Sequence, residues 1–182
     1  MWVIHPNDKT TVMLSALYEG VGHVRIDQSC GCHKLGRLLQ HIPQDERVML
    51  LGHGSDKGRF SRKDDSRDVF DRLMVFHPHA CHLRRHGGNL VAVWCHADLF
   101  ARPEGLRGLF SRMIVTEMSE ALLYNIATTQ GELDRENMKL AQRLRALLDE
   151  NVPLPDFPSR MAELDDAHAP LTTFNCSPFY YL

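Results

Sequence analysis

No run of apolar residues in this 182-residue chain approaches the roughly 20 needed to span a bilayer. The opening MWVIHPNDKTT lacks the basic stretch and apolar core of a secretion signal, so the expected location is the cytoplasm. Charge of one sign is missing too: the formal net charge is -2, which offers no broad attraction to nucleic acid or to an anionic membrane. Cysteines are few, odd in number (five) and irregularly spaced, which suits reduced thiols better than a disulfide framework. There is no P-loop and no dinucleotide fingerprint, so nucleotide chemistry is disfavoured. Ser55 and Ser119 lack the G-x-S-x-G elbow of a serine hydrolase. Without internal repeats or a low-complexity linker, residues 1–182 are expected to form one domain, large enough for a substantial core.

What is present is an alternation of strand-like and helix-like segments. MWVIHP, HVRID, RVMLLG and NLVAVWC read as strands, and the last two are apolar throughout, as in a parallel sheet covered on both faces. TVMLSALYEG, KLGRLLQHIP and PHACHLRRH read as helices between them. Further along, GLRGLFSR is expected to be helical and MIVTEM a fifth strand. Thr129 and Glu132 have capping-box spacing ahead of a long helix carrying Leu133, Leu140, Leu144, Leu147 and Leu148. PLTTFNCSPFYYL is expected to supply a last edge strand. Arg59, Arg62, Lys63 and Arg67, interleaved with Asp64, Asp65, Asp68 and Asp71, read as a solvated loop. The expected fold class is α/β, a three-layer sandwich on a mostly parallel sheet of about six strands.

Two of those strands end on reactive side chains: LLGHGS delivers His53 and VWCHAD delivers Cys95. In parallel sheets, functional groups collect beyond the carboxyl ends of the strands. A thiol works as thiolate, and a nearby histidine can take its proton. His96 is the poorer base, because neighbouring side chains on an extended strand point to opposite faces. The Gly54 and Cys95 amides are the candidate oxyanion donors.

These motifs resemble those of the caspase-like cysteine peptidases, a group including caspases, metacaspases, gingipains, clostripain, separase and CHAT-type domains. The resemblance covers roughly residues 1–150: LLGHGS is similar to the histidine block, VWCHAD to the metacaspase Cys-His-Ser with Ala97 in place of serine, and GLRGLFSRMIVTEMSEA to the helix and strand after the cysteine. It departs from the caspase signature, since Val93-Trp94 precedes the cysteine. The resemblance implies a caspase-like fold, a peptide or protein substrate, no cofactor, and a specificity carboxylate, for which Asp8, Asp98, Glu117 and Glu120 are candidates.

Two other readings compete. A catalytically inactive module on the same fold would pair through an exposed edge such as NCSPFYYL, a second copy of the chain giving a homodimer. A zinc site would draw on His77, His79, Cys81, His82 and His86 with Cys30, Cys32 and His33, although C-x2-C pairs are missing. The plainer reading of 77–86 is a histidine-rich surface loop, and no metal is expected at the dyad. His5, His23, His41 and His168 have no partner pattern.

Overall fold

The computed structural model describes residues 1–62, 70 and 72–182. Its centre is a six-stranded sheet in the order β2-β1-β3-β7-β8-β9, where β1 is Trp2–Ile4, β2 Val24–Ile26, β3 Val48–Leu51, β7 Leu90–Val93, β8 Gly108–Ser111 and β9 Phe179–Tyr181. All neighbours are parallel except β8 and β9. Every residue of β3 and β7 is buried, because both faces of the sheet are covered. Val3, Met49, Leu51, Val91, Val93 and Leu109 face α5 (Gln130–Asp149), α6 (Phe157–Glu163) and a 3-10 helix over Val12–Leu17. Ile4, Leu50, Leu90, Ala92, Trp94 and Phe110 face α1 (Cys32–His41), α2 (His77–Leu83) and α3 (Ala97–Glu104) on the other side. The architecture is therefore the expected three-layer α/β sandwich.

Thr129 caps α5, its hydroxyl accepting from the Glu132 amide at 3.3 Å while its own amide donates to the Glu132 carboxylate at 2.8 Å. Three expectations need correction. Residues 105–112 hold a strand rather than a helix: α3 stops at Gly105, whose φ of 61° makes it a left-handed cap, and β8 begins three residues on. Residues 113–118 form no strand. The Asn175 side chain occupies the place of a strand partner, accepting from the Val115 amide and donating to its carbonyl, both at 2.9 Å. Of the C-terminal stretch only β9 is extended; Pro170–Cys176 form α7, with proline at its favoured first position.

The polar stretch after His53 folds back as a small antiparallel sheet of β4 (Gly54–Ser55), β5 (Gly58–Ser61) and β6 (Arg72–Phe76). Arg59 and Arg62 do not lie in a solvated loop. Arg59 is wholly buried, its Nε donating to the Leu51 carbonyl at 2.6 Å, and burial pulls its pKa down to about 9. Arg62 is buried against Asp8. Lys63, Asp64, Asp65, Arg67, Asp68 and Asp71 lie outside the described residues. The histidine-rich segment is not a surface loop either: it forms α2 and buries His79 and His86. His79 Nδ1 accepts from the Phe76 amide at 3.3 Å. Among the described residues, no group of three or more His, Cys, Asp or Glu side chains is arranged to hold a metal ion. No helix among them is long and apolar enough to cross a membrane.

Candidate functional site

β3 and β7 are neighbours, with Leu51 opposite Val93, and the Gly52 amide still donates to the Val93 carbonyl at 3.1 Å. Both strands stop there: Gly52 has a φ of 133°, and Trp94 enters the core on the side of α1, α2 and α3. His53 and Cys95 thus follow adjacent strand ends, and both come up against the segment holding Glu117 and Glu120.

His53 is held from the β1 side. Its Nε2 lies 2.6 Å from Thr10 Oγ1, and that hydroxyl donates to Asp8 Oδ1 at 2.6 Å. Burial alone would raise the Asp8 pKa, but the bonds from Thr10 and the nearby His53 and Arg62 outweigh it and leave Asp8 below its ordinary range, hence ionised. Since the Thr10 proton is committed to Asp8, Thr10 Oγ1 accepts from His53 Nε2–H, and the network assigns the lone pair to Nδ1. Burial lowers the His53 pKa, opposed by Asp8 and Glu117, so the imidazole is neutral at neutral pH. Phe70 packs on its ring, with centroids 4.9 Å apart.

The Cys95 thiol makes no hydrogen bond to His53. It donates towards the Ile114 carbonyl at 3.6 Å and Glu120 Oε1 at 3.8 Å. Burial, then the Glu120 charge, pushes its pKa up to about 12, so the resting thiol is protonated. Glu117 lies 3.6 Å from His53 Nε2, so one short segment, Glu117 with α4 (Met118–Leu123), puts a carboxylate on each member of the pair. Glu120 stays in place because its other oxygen accepts from the Thr116 and Glu117 amides at 2.7 and 3.1 Å. Glutamine can keep those bonds without the charge. Glu120→Gln is thus expected to lower the thiol pKa and raise iodoacetamide alkylation of Cys95 at about pH 8.5 by about tenfold; an unchanged rate means the thiol does not feel this carboxylate.

Of the two oxyanion candidates, the Cys95 amide makes no backbone hydrogen bond among the described residues. Gly54 pairs with Arg59 between ladder-bonded positions, which leaves its N–H directed away from β5. Asp8, Glu117 and Glu120 all gather here. Asp98 does not: it is fully buried in α3, where its Oδ2 accepts from Arg112 at 3.0 and 3.2 Å. Thr10 and Arg62 were not singled out from the sequence. The spacing Asp8-Lys9-Thr10 suits an Asx turn, and the Thr10 amide does donate to Asp8 at 2.9 Å, but nothing local signals a contact 43 residues away.

No protein-family model, no curated protein and no solved structure matches the chain. What its fold and site define is an α/β sandwich with a protonated Cys95 and a neutral His53 at the carboxyl edge of a mostly parallel sheet.

Proposed function

We propose that the chain is a cysteine peptidase or related amide hydrolase, with Cys95 as nucleophile and His53 as general base and acid. The observation that supports this reading is that His53 and Cys95 follow the ends of adjacent parallel strands and both meet the Glu117–Glu120 segment. The thiol attacks a carbonyl carbon while His53 Nδ1 takes its proton. The Cys95 amide, and Gly54's where it can reach, meets the developing oxyanion. His53 then protonates the leaving amine, and water resolves the acyl-enzyme by the reverse sequence. A protonated resting thiol suits this order, because the base acts as attack occurs, and catalytic hydrogen bonds commonly close only once substrate is bound.

Acylation by p-nitrophenyl acetate tests it through the burst of p-nitrophenolate. Wild type is expected to give a burst with an acid limb below about pH 6.5, the ordinary histidine value, because His53 must be neutral. Cys95→Ser should abolish the burst, and His53→Ala should slow it by about a hundredfold or more. A second reading, an inactive module, is favoured by the thiol's engagement with Ile114 and its high pKa. On that reading no burst forms and Cys95 reacts only on unfolding.

A further inference from the structure

Lined in part by Cys95 is a cavity of about 20 Å³, room for about one water molecule or a methyl-sized group. Its walls are mostly apolar, from Met13, Leu14, Val93, Ile114 and Leu140, and Cys95 forms part of them. Thr11 also lines it, and the Thr11 hydroxyl is buried with no hydrogen-bond partner among the described residues. Among the described residues no carboxylate, arginine or lysine lines this space, so Asp8, Asp98, Glu117 and Glu120 stand outside it. Met13 and Thr116 also line a larger groove of about 630 Å³, where they meet Thr10, Glu117, Met118 and Met138.

We infer that this cavity receives the side chain of the substrate's acyl residue and restricts that residue to alanine, serine or glycine; the inference rests on the cysteine-hydrolase reading. The acyl side chain leaves the carbon next to the carbonyl under attack, and attack brings that carbonyl to within about 3.5 Å of the sulfur. A pocket that accepts this side chain must therefore adjoin the nucleophilic residue, and Cys95 lines this one. Lysine or aspartate would enter without a counter-charge, which burial penalises. Leucine would have to displace close-packed neighbours. Alanine fits as a methyl group, and serine can in addition bond the unpartnered Thr11 hydroxyl.

The test uses tripeptidyl acyloxymethyl ketones ending in alanine, leucine, lysine or aspartate, read by the mass of the Cys95 peptide. In each, the sulfur forms a thioether to the methylene carbon, the carboxylate leaves with its bonding pair, and the thiol proton passes to His53. Wild type is expected to react with the alanyl ketone at least about tenfold faster than with the others, the discrimination a tight apolar pocket gives per misfit group. Met13→Ala, which shortens a side chain lining both the cavity and the groove, should raise the leucyl rate by about tenfold with little change for alanine. The wild-type ranking stands by itself if that variant does not fold. Equal rates, or preference for leucine, lysine or aspartate, overturn the cavity assignment and leave the hydrolase reading intact. No labelling by any ketone, where iodoacetamide labels Cys95 in the folded protein, overturns both.

Discussion

Acidification from about pH 7 to about pH 4.5 is expected to cost the fold about 3 kcal/mol through His5 alone. His5 follows β1, is 2 % exposed, and shares a 2.9 Å hydrogen bond with Tyr18 while its Nε2 has no partner. Burial, then the charges of Arg59 and Arg25, lowers its pKa from 6.5 to about 3. The unfolded chain takes up a proton as pH falls through 6.5, and the folded chain refuses it until about 3. Stability is therefore complete above 6.5 and drains away between those values. His53, His79 and His86, also lowered chiefly by burial, act in the same direction. Urea unfolding midpoints across this range, in wild type and His5→Asn, measure the effect. The variant should show the shallower pH dependence, and parallel curves would remove His5 from the explanation. Of the other groups near His5, Tyr18 is raised above its ordinary value, Arg59 comes down only to about 9, and Asp8 ionises below its ordinary value, so none of these three titrates in this window.

Gly54→Ala is expected to destabilise the protein by about 3 kcal/mol, the upper part of the usual range for overpacking. A Cβ there would stand 2.2 Å from Trp94 Cδ1 and 2.7 Å from the Gly58 carbonyl oxygen. The indole cannot easily retreat: it is buried at 1 % exposure, packs on Phe100, and donates through Nε1 to the Ser55 carbonyl at 3.2 Å. The strand is no freer, because β4 is pinned to β5. Trp94→Leu, itself costly through lost burial, should relieve part of the alanine penalty. The four proteins of this cycle, unfolded in urea, should show a coupling energy above about 0.5 kcal/mol. Strict additivity would place the cost elsewhere than in the ring. Because Trp94 precedes Cys95 directly, acylation should fall in Gly54→Ala even where it remains folded.

The strands that lead to His53 and Cys95 were legible because a parallel strand covered on both faces reads as an unbroken apolar run, and VMLL and LVAV do. The long helix α5 was legible from its capping box and leucine spacing. β8 was not, since Leu106, Leu109 and Phe110 in a short segment fit either period, and the deciding feature is the left-handed Gly105 just before it. MIVTEM looked like a strand because Met113, Ile114 and Val115 are indeed buried. Burial does not reveal that a distant asparagine satisfies the backbone. Arg59 shows the same limit: nothing in a run of mixed charges distinguishes an arginine that reaches inward to a strand-end carbonyl. The catalytic candidates were readable one by one, whereas the Thr10 relay and the two glutamates depend on segments that meet only after folding.

The Asn175 clamp on Val115 bridges residues 60 apart in sequence. Contacts of that separation carry a high loop-closure cost and tend to form late on the folding route. The segment leading from Val115 to Glu117 and Glu120 is anchored by that clamp, so the position of both carboxylates is fixed in part by α7. During synthesis Cys95 leaves the ribosome well before Asn175. For that interval the Cys95 thiol exists without the Asn175 clamp behind its acidic neighbours, and that restraint arrives with the end of the chain.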